Sequence, residues 1–138
     1  MFGVIYHSPS STAVNTGRLN ILIQKAVELN CDYTLILGDF NFATIDWENW
    51  STPHSVNHPE FKFIECLRDN FLSQMVDSPT RHRDGQASNI LDLILVDKPE
   101  IVNEVSYSNN LGASDHISLL INLSSSPETN FFDSVRRN

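Results

Sequence analysis

An α/β fold is what this sequence predicts, on three observations: several short apolar runs of strand length, two stretches with apolar residues at three- and four-residue spacing, and the interleaving of the two along the chain. The strand-like runs are continuously apolar, as in strands covered on both faces.

The elements follow in order. Gly3 to Tyr6 reads as a short strand, and His7 to Thr12 as a turn-forming loop. Asn15 or Thr16 suits a helix cap, after which Leu19, Leu22, Ile23, Ala26 and Val27 make one apolar stripe. Tyr33 to Leu37, ended by Gly38-Asp39, is a strand buried on both faces. From Asn41 to Pro59 no period is visible, which predicts a long loop anchored by Trp47 and Trp50. Pro59 opens a second helix with Phe61, Ile64, Leu67 and Phe71 as its buried stripe, and Gln74 to Val76 follows as a strand. A basic, turn-forming segment from Arg81 to Gln86 leads into the strand Ile90 to Val96, and Val102 to Tyr107 and His116 to Leu123 complete the set. The serine-rich stretch from Ser124 onward reads as a linker, so residues 1–123 form one domain and 124–138 a tail.

Composition narrows the function. With 138 residues, 41% hydrophobic and 19% charged, the chain has the make-up of one globular domain rather than a disordered segment. A net charge of −8 argues against general electrostatic attraction to nucleic acid, so any such contact needs locally concentrated basic residues. No apolar run approaches the ~20 residues of a membrane span, and the first residues carry no basic n-region, long apolar stretch or small-residue cleavage site, so secretion through a cleaved signal is not expected. Cys31 and Cys66 have no zinc-ligand spacing and read as reduced core thiols.

Three polar clusters stand at the ends of apolar strands: Gly38-Asp39-Phe40-Asn41, Asp92 within Ile90 to Leu95, and Ser114-Asp115-His116. Asp92 is the most unusual, because a carboxylate among five apolar neighbours costs several kcal/mol unless a partner meets it. His116 is the natural partner, since a carboxylate fixes an imidazole tautomer and stabilises its cation. Asp39 and Asn41 project to one side if the chain stays extended, where one accepts a proton from water and the other orients the nucleophile or a phosphate. Asp115 offers a hard oxygen ligand suited to a divalent ion such as magnesium.

Taken together, Val4-Ile5-Tyr6-His7-Ser8-Pro9, Gly38-Asp39-Phe40-Asn41 with Ile45-Asp46-Trp47, Ser78-Pro79-Thr80-Arg81, Ile90-Leu91-Asp92-Leu93-Ile94-Leu95 and Leu111-Gly112-Ala113-Ser114-Asp115-His116 resemble the endonuclease/exonuclease/phosphatase superfamily. The nearest likeness is to the endonuclease domain of jockey-like non-LTR retrotransposons, over residues 2 to 123. The resemblance implies the C-terminal part of a four-layered, DNase I-like α/β sandwich that hydrolyses phosphodiesters with Mg2+ or Mn2+. It implies that Tyr6 contacts the scissile phosphate, Asp39 handles the proton of the attacking water, Asn41 positions nucleophile and phosphate, and Asp92 orients a phosphate-contacting His116. It further implies Asp115 as metal ligand, Thr80 and Arg81 as DNA contacts, DNA as substrate, a reverse transcriptase on the parent polypeptide, and nuclear localisation. Two alternatives keep the fold: a catalytically inactive relic, or a phosphatase acting on another phosphoester.

Relatives often carry an asparagine shortly after the tyrosine, where this chain has Ser8-Pro9-Ser10. The early asparagine and the metal-binding glutamate of the family pattern have no counterpart, since Met1 lies just before the tyrosine strand. A truncated domain is therefore expected, with one sheet largely lacking and with the apolar faces of Tyr33 to Leu37 and Ile90 to Val96 exposed.

Overall fold

The computed structural model describes residues 1–82, Gly85 and 87–124. Arg83, Asp84 and Gln86 of the basic segment and the tail after Ser124 lie outside the described residues. Strands β1 (Phe2–Tyr6), β2 (Leu35–Asp39), β3 (Ser73–Gln74) and β4 (Asp92–Val96) form one sheet in the order β1-β2-β4-β3. β1 and β2 are parallel, joined by helix α1 (Ala13–Glu28), and the β2–β4 and β4–β3 pairs are antiparallel. Helix α2 (Pro59–Asp69) precedes β3, and strands β5 (Val102–Ser108) and β6 (Ser118–Leu123) make a separate antiparallel pair.

Residue alternation divides the sheet's two faces. Ile36, Leu93 and Leu95 pack with Leu19, Ile23 and Ala26 of α1 and Phe63, Ile64 and Leu67 of α2. The intervening residues Leu35, Ile94 and Val96 pack on the other side against Val102, Val105, Leu119 and Ile121 of β5–β6. The described residues therefore build an α-β-β stack, the mixed α/β architecture that the sequence predicts.

This arrangement corrects several expectations. Leu35, Ile94 and Val96 are buried, because β5–β6 covers the faces expected to lie open. The exposed apolar face belongs instead to β1, where Phe2 and Val4 are 65% and 72% exposed. α1 begins earlier than Asn15 or Thr16: Thr12 is its cap, its side chain accepting from the Asn15 backbone N–H, and Thr16 faces inward. That register leaves Leu22 exposed. α2 buries Phe63 rather than Phe61, and Phe71, past the helix end at a left-handed φ of 53°, is exposed. Cys31 is exposed rather than a core thiol. β2 begins two residues later than expected and carries Gly38 and Asp39 within the ladder instead of ending before them.

Gly38 is decisive for that extension. Its φ is 147°, and a Cβ built there would lie 1.8 Å from the Ile5 carbonyl oxygen. Only glycine lets β1 approach β2 at this register, and so only glycine carries the ladder on to Tyr6 and Asp39.

The loop after β2 has no helix, and its tip is pinched by an isolated bridge between Asp46 and Ser51. Trp47 packs edge-on against Trp50 and Phe63, as expected of loop anchors.

Candidate active site

Tyr6, Asp39 and Asp92 form one row across three strands. Tyr6 is the register partner of Asp39 in the parallel pair, and Asp39 of Asp92 in the antiparallel pair. By alternation all three share the face that carries β5–β6, at the end of the sheet where the apolar residues stop. Tyr6 is 74% exposed on the uncovered strand, whereas Asp39 and Asp92 are half-buried.

His116 reaches the row from the entry to β6. Its Nδ1–H donates to Asp92 Oδ2 at 2.8 Å, satisfying the carboxylate that the sequence left without a partner. Thr80 sets the backbone beneath that pair. Its hydroxyl oxygen accepts from both the Leu91 and Asp92 backbone N–H groups at 3.0 Å, and its carbonyl accepts from the Ile117 N–H. Thr80 is completely buried, so the expected DNA contact at this residue is corrected: Thr80 is an internal clamp joining β4 to the β6 entry.

Asp39 has the least comfortable environment. Burial and then the facing charge of Asp92 push its carboxyl above the usual aspartate range, while Asn41 and His116 pull the other way. Its Oδ1 is buried without a hydrogen-bond partner among the described groups. Ligand atoms of Asp39, Asp92 and His116 lie within 4.8 Å of one another.

The remaining expected residues are placed differently. Asn41 takes a left-handed φ of 54°, which asparagine tolerates, and its amide donates to the His7 carbonyl at 2.9 Å. The backbone is therefore not extended at Asn41, yet Asn41 still hydrogen-bonds the Asp39 carboxyl. Asp115 Oδ2 accepts from Arg81 Nε at 2.9 Å, and its Oδ1 stands 4.0 Å from His116 Nε2. Arg81 thus belongs to the site's rim through Asp115, its backbone bridged to both Asn89 and His116.

Sequence reading missed His7. Its ring contacts the Phe40 carbonyl at 2.9 Å and Thr16 Oγ1 at 3.1 Å and packs at a tilt against Phe42, fixing the loop that presents Asn41. Its place directly after the tyrosine strand was the available signal, but nothing local distinguishes such a histidine from a surface residue.

The comparisons agree on the architecture. A family profile described as "Endonuclease-reverse transcriptase" matches residues 1–120. No curated protein matches. Among solved structures, the endonuclease domain of TRAS1, a telomere-specific non-LTR retrotransposon, superposes with a TM-score of 0.64 at 16% identity, covering 86% of this chain. A 3′ phosphatase, NExo from Neisseria, solved with product DNA hairpin, superposes with a TM-score of 0.56 at 19% identity, covering 80%. This chain spans 52% of each of those two chains.

Proposed function

The chain belongs to the endonuclease–reverse transcriptase family, and on that footing we propose that it is part of a metal-dependent DNA endonuclease of a retrotransposon. The observation that carries the reading is the row Asp39–Asp92–His116, with one orphaned, buried carboxylate oxygen at its centre.

The donor set fits a divalent cation. Two facing carboxylates, one with its pKa raised by burial and by the other's charge, are the arrangement whose repulsion a hard cation relieves. Asp115 brings a third carboxylate next to His116 and would act as a metal ligand once it leaves Arg81. A bound Mg2+ or Mn2+ supplies positive charge against the oxygens of the reacting phosphate.

The chain's own groups do the rest. Asp39, facing the reacting centre from the end of β2, takes the proton as water oxygen bonds to phosphorus and the leaving oxygen departs. Asp92 holds His116 with Nδ1 protonated, which turns Nε2 toward the substrate side for contact with a phosphate oxygen. Tyr6, exposed beside Asp39, offers a hydroxyl to the same phosphate. Asn41 orients the nucleophile after exchanging its contact with the His7 carbonyl. Arg81 contributes positive charge at the rim of an otherwise acidic chain. A reverse transcriptase on the parent polypeptide and a nuclear site of action follow from this reading. The described residues include no helix long and apolar enough to cross a membrane.

A plasmid-nicking assay tests the proposal, run on this chain and on a version extended upstream to supply further carboxylate ligands, each beside its His116→Ala variant. The short chain is expected to nick poorly or not at all in Mg2+, and the extended chain in a His116-dependent, EDTA-sensitive way. Absence of His116-dependent nicking from both would overturn it. Release of 3′-phosphate without strand cleavage would assign the site to monoester hydrolysis instead.

A further inference from the structure

Away from this row, the loop after β2 and the start of α2 bring a second set of ligand-bearing side chains together. His54, His58 and Glu60 place ligand atoms within 4.8 Å of one another. The geometry points to a second metal site here, for zinc or a similar borderline divalent ion, which clips the loop carrying Asn41 to helix α2. This inference is independent of the hydrolytic reading.

Glu60 is the anchor. It is 8% exposed, and among the described residues its hydrogen-bond donors are uncharged backbone and hydroxyl groups. Oε1 accepts from the Thr44 backbone N–H at 3.4 Å, while Oε2 accepts from the Thr44 hydroxyl and, at 3.2 Å, from the Thr52 hydroxyl. A buried carboxylate held by hydroxyls retains most of its desolvation cost. The facing groups are imidazoles rather than lysine or arginine.

His54 Nε2 stands 3.7 Å from Glu60 Oε2, beyond hydrogen-bond reach. Two ligand atoms on one tetrahedral zinc ion lie about 3.3 Å apart, given bond lengths near 2.0–2.1 Å. The observed gap is close to that separation. His58 Nδ1 accepts from the Glu60 backbone N–H at 3.3 Å, so its lone pair already faces the first turn of α2. That capping bond is long and is readily exchanged for coordination. The two rings are stacked, with centroids 3.7 Å apart and planes at 19°, so metal entry requires His54 to turn out of the stack. Its side chain, 37% exposed on a loop, has room to do so.

Imidazole and carboxylate donors together favour zinc over magnesium or calcium. Three protein ligands leave a fourth position for water. Thr44, three residues after Asn41, is tied to the same carboxylate. Metal binding there would immobilise the segment between the end of β2 and α2.

The test uses the metal-free 138-residue chain in the His116→Ala background, which removes the imidazole of the other cluster. Titration with Co2+ is expected to give the visible absorption of a tetrahedral site, and Zn2+ to raise Tm in a concentration-dependent way. His54→Ala, Glu60→Gln and His58→Asn, the last retaining a capping oxygen, should each weaken both responses at least about tenfold. Far-UV circular dichroism of His54→Ala confirms that the fold persists. Absence of a tetrahedral Co2+ spectrum, or a Zn2+-dependent Tm rise unchanged by His54→Ala, overturns the inference. A response present in the native chain but lost with His116→Ala would place the ion at the Asp39 row and overturn it equally.

Discussion

Asp39 and Asp92 are direct partners across the antiparallel β2–β4 ladder, two carboxylates on one face of a sheet, and His116 bonds to only one of them. Like charges directly opposite on a sheet destabilise it. Asp92 is relieved by the imidazole at 2.8 Å, while Asp39 keeps a buried oxygen without a donor. The asymmetry separates the two acids chemically, as an acid–base site requires.

The first prediction follows from that asymmetry. The Asp39 carboxyl is raised above its ordinary 3.8, so the folded state binds the proton more tightly than the unfolded chain. Stability therefore falls as pH rises from 3.8 through the raised value, and the penalty persists at neutral pH. In metal-free buffer Asp39→Asn should raise Tm at pH 7, and the gain should vanish below about pH 3.8. Thermal denaturation of both proteins across this range checks it; a Tm gain independent of pH would contradict the charge argument.

Thr80 is expected to matter for stability beyond its size. Thr80→Val keeps the shape but strips the acceptor from the Leu91 and Asp92 amides, which should cost about 2 kcal/mol or more. Thr80→Ser keeps the hydroxyl and should cost clearly less. Urea unfolding measures both, and equal losses would mean that methyl packing, not the hydroxyl, is what Thr80 contributes.

A pair of glycine substitutions separates backbone need from tolerance. Gly38→Ala should destabilise by about 3 kcal/mol or more, because its Cβ would collide with the Ile5 carbonyl at a φ of 147°. Gly17→Ala, within α1 and with nothing inside 4 Å of the new Cβ, should stabilise by about 0.5–1 kcal/mol. Chemical denaturation of each variant gives the two signs directly.

The cysteines should react at different rates. Cys31 is exposed, whereas burial, with the nearby Asp69 charge adding to it, pushes the Cys66 thiol up to about 11. Iodoacetamide at pH 8 should label Cys31 first and Cys66 only on unfolding, as peptide mass spectrometry would show. Comparable rates in the native chain would mean that the α1–α2 contact around Cys66 opens readily.

Local pattern alone establishes the α/β class, the order of the strands and helices, and the Asp92–His116 partnership. Each of these rests on information carried by near neighbours or by solvation. Apolar period identifies an element's type, and a carboxylate inside an apolar strand must find a donor. What escaped it depends on groups distant in the chain. Thr12 and not Asn15 caps α1 because the helix turns its Thr16 side toward His7, the residue that follows β1. Gly38 continues the ladder because Ile5, thirty-odd residues earlier, lies against it. Asn41 takes a left-handed conformation with its amide on the His7 carbonyl while still hydrogen-bonding the Asp39 carboxyl. Thr80 became an internal clamp and not a DNA contact because β4 and the β6 entry close over it. The row Tyr6–Asp39–Asp92 exists only once strand register is fixed. A one-residue slip of the β2–β4 pairing would put Asp39 and Asp92 on opposite faces, and one of β1–β2 would take Tyr6 from their face; register is set by close backbone contact and by the packing of two faces that no local pattern records.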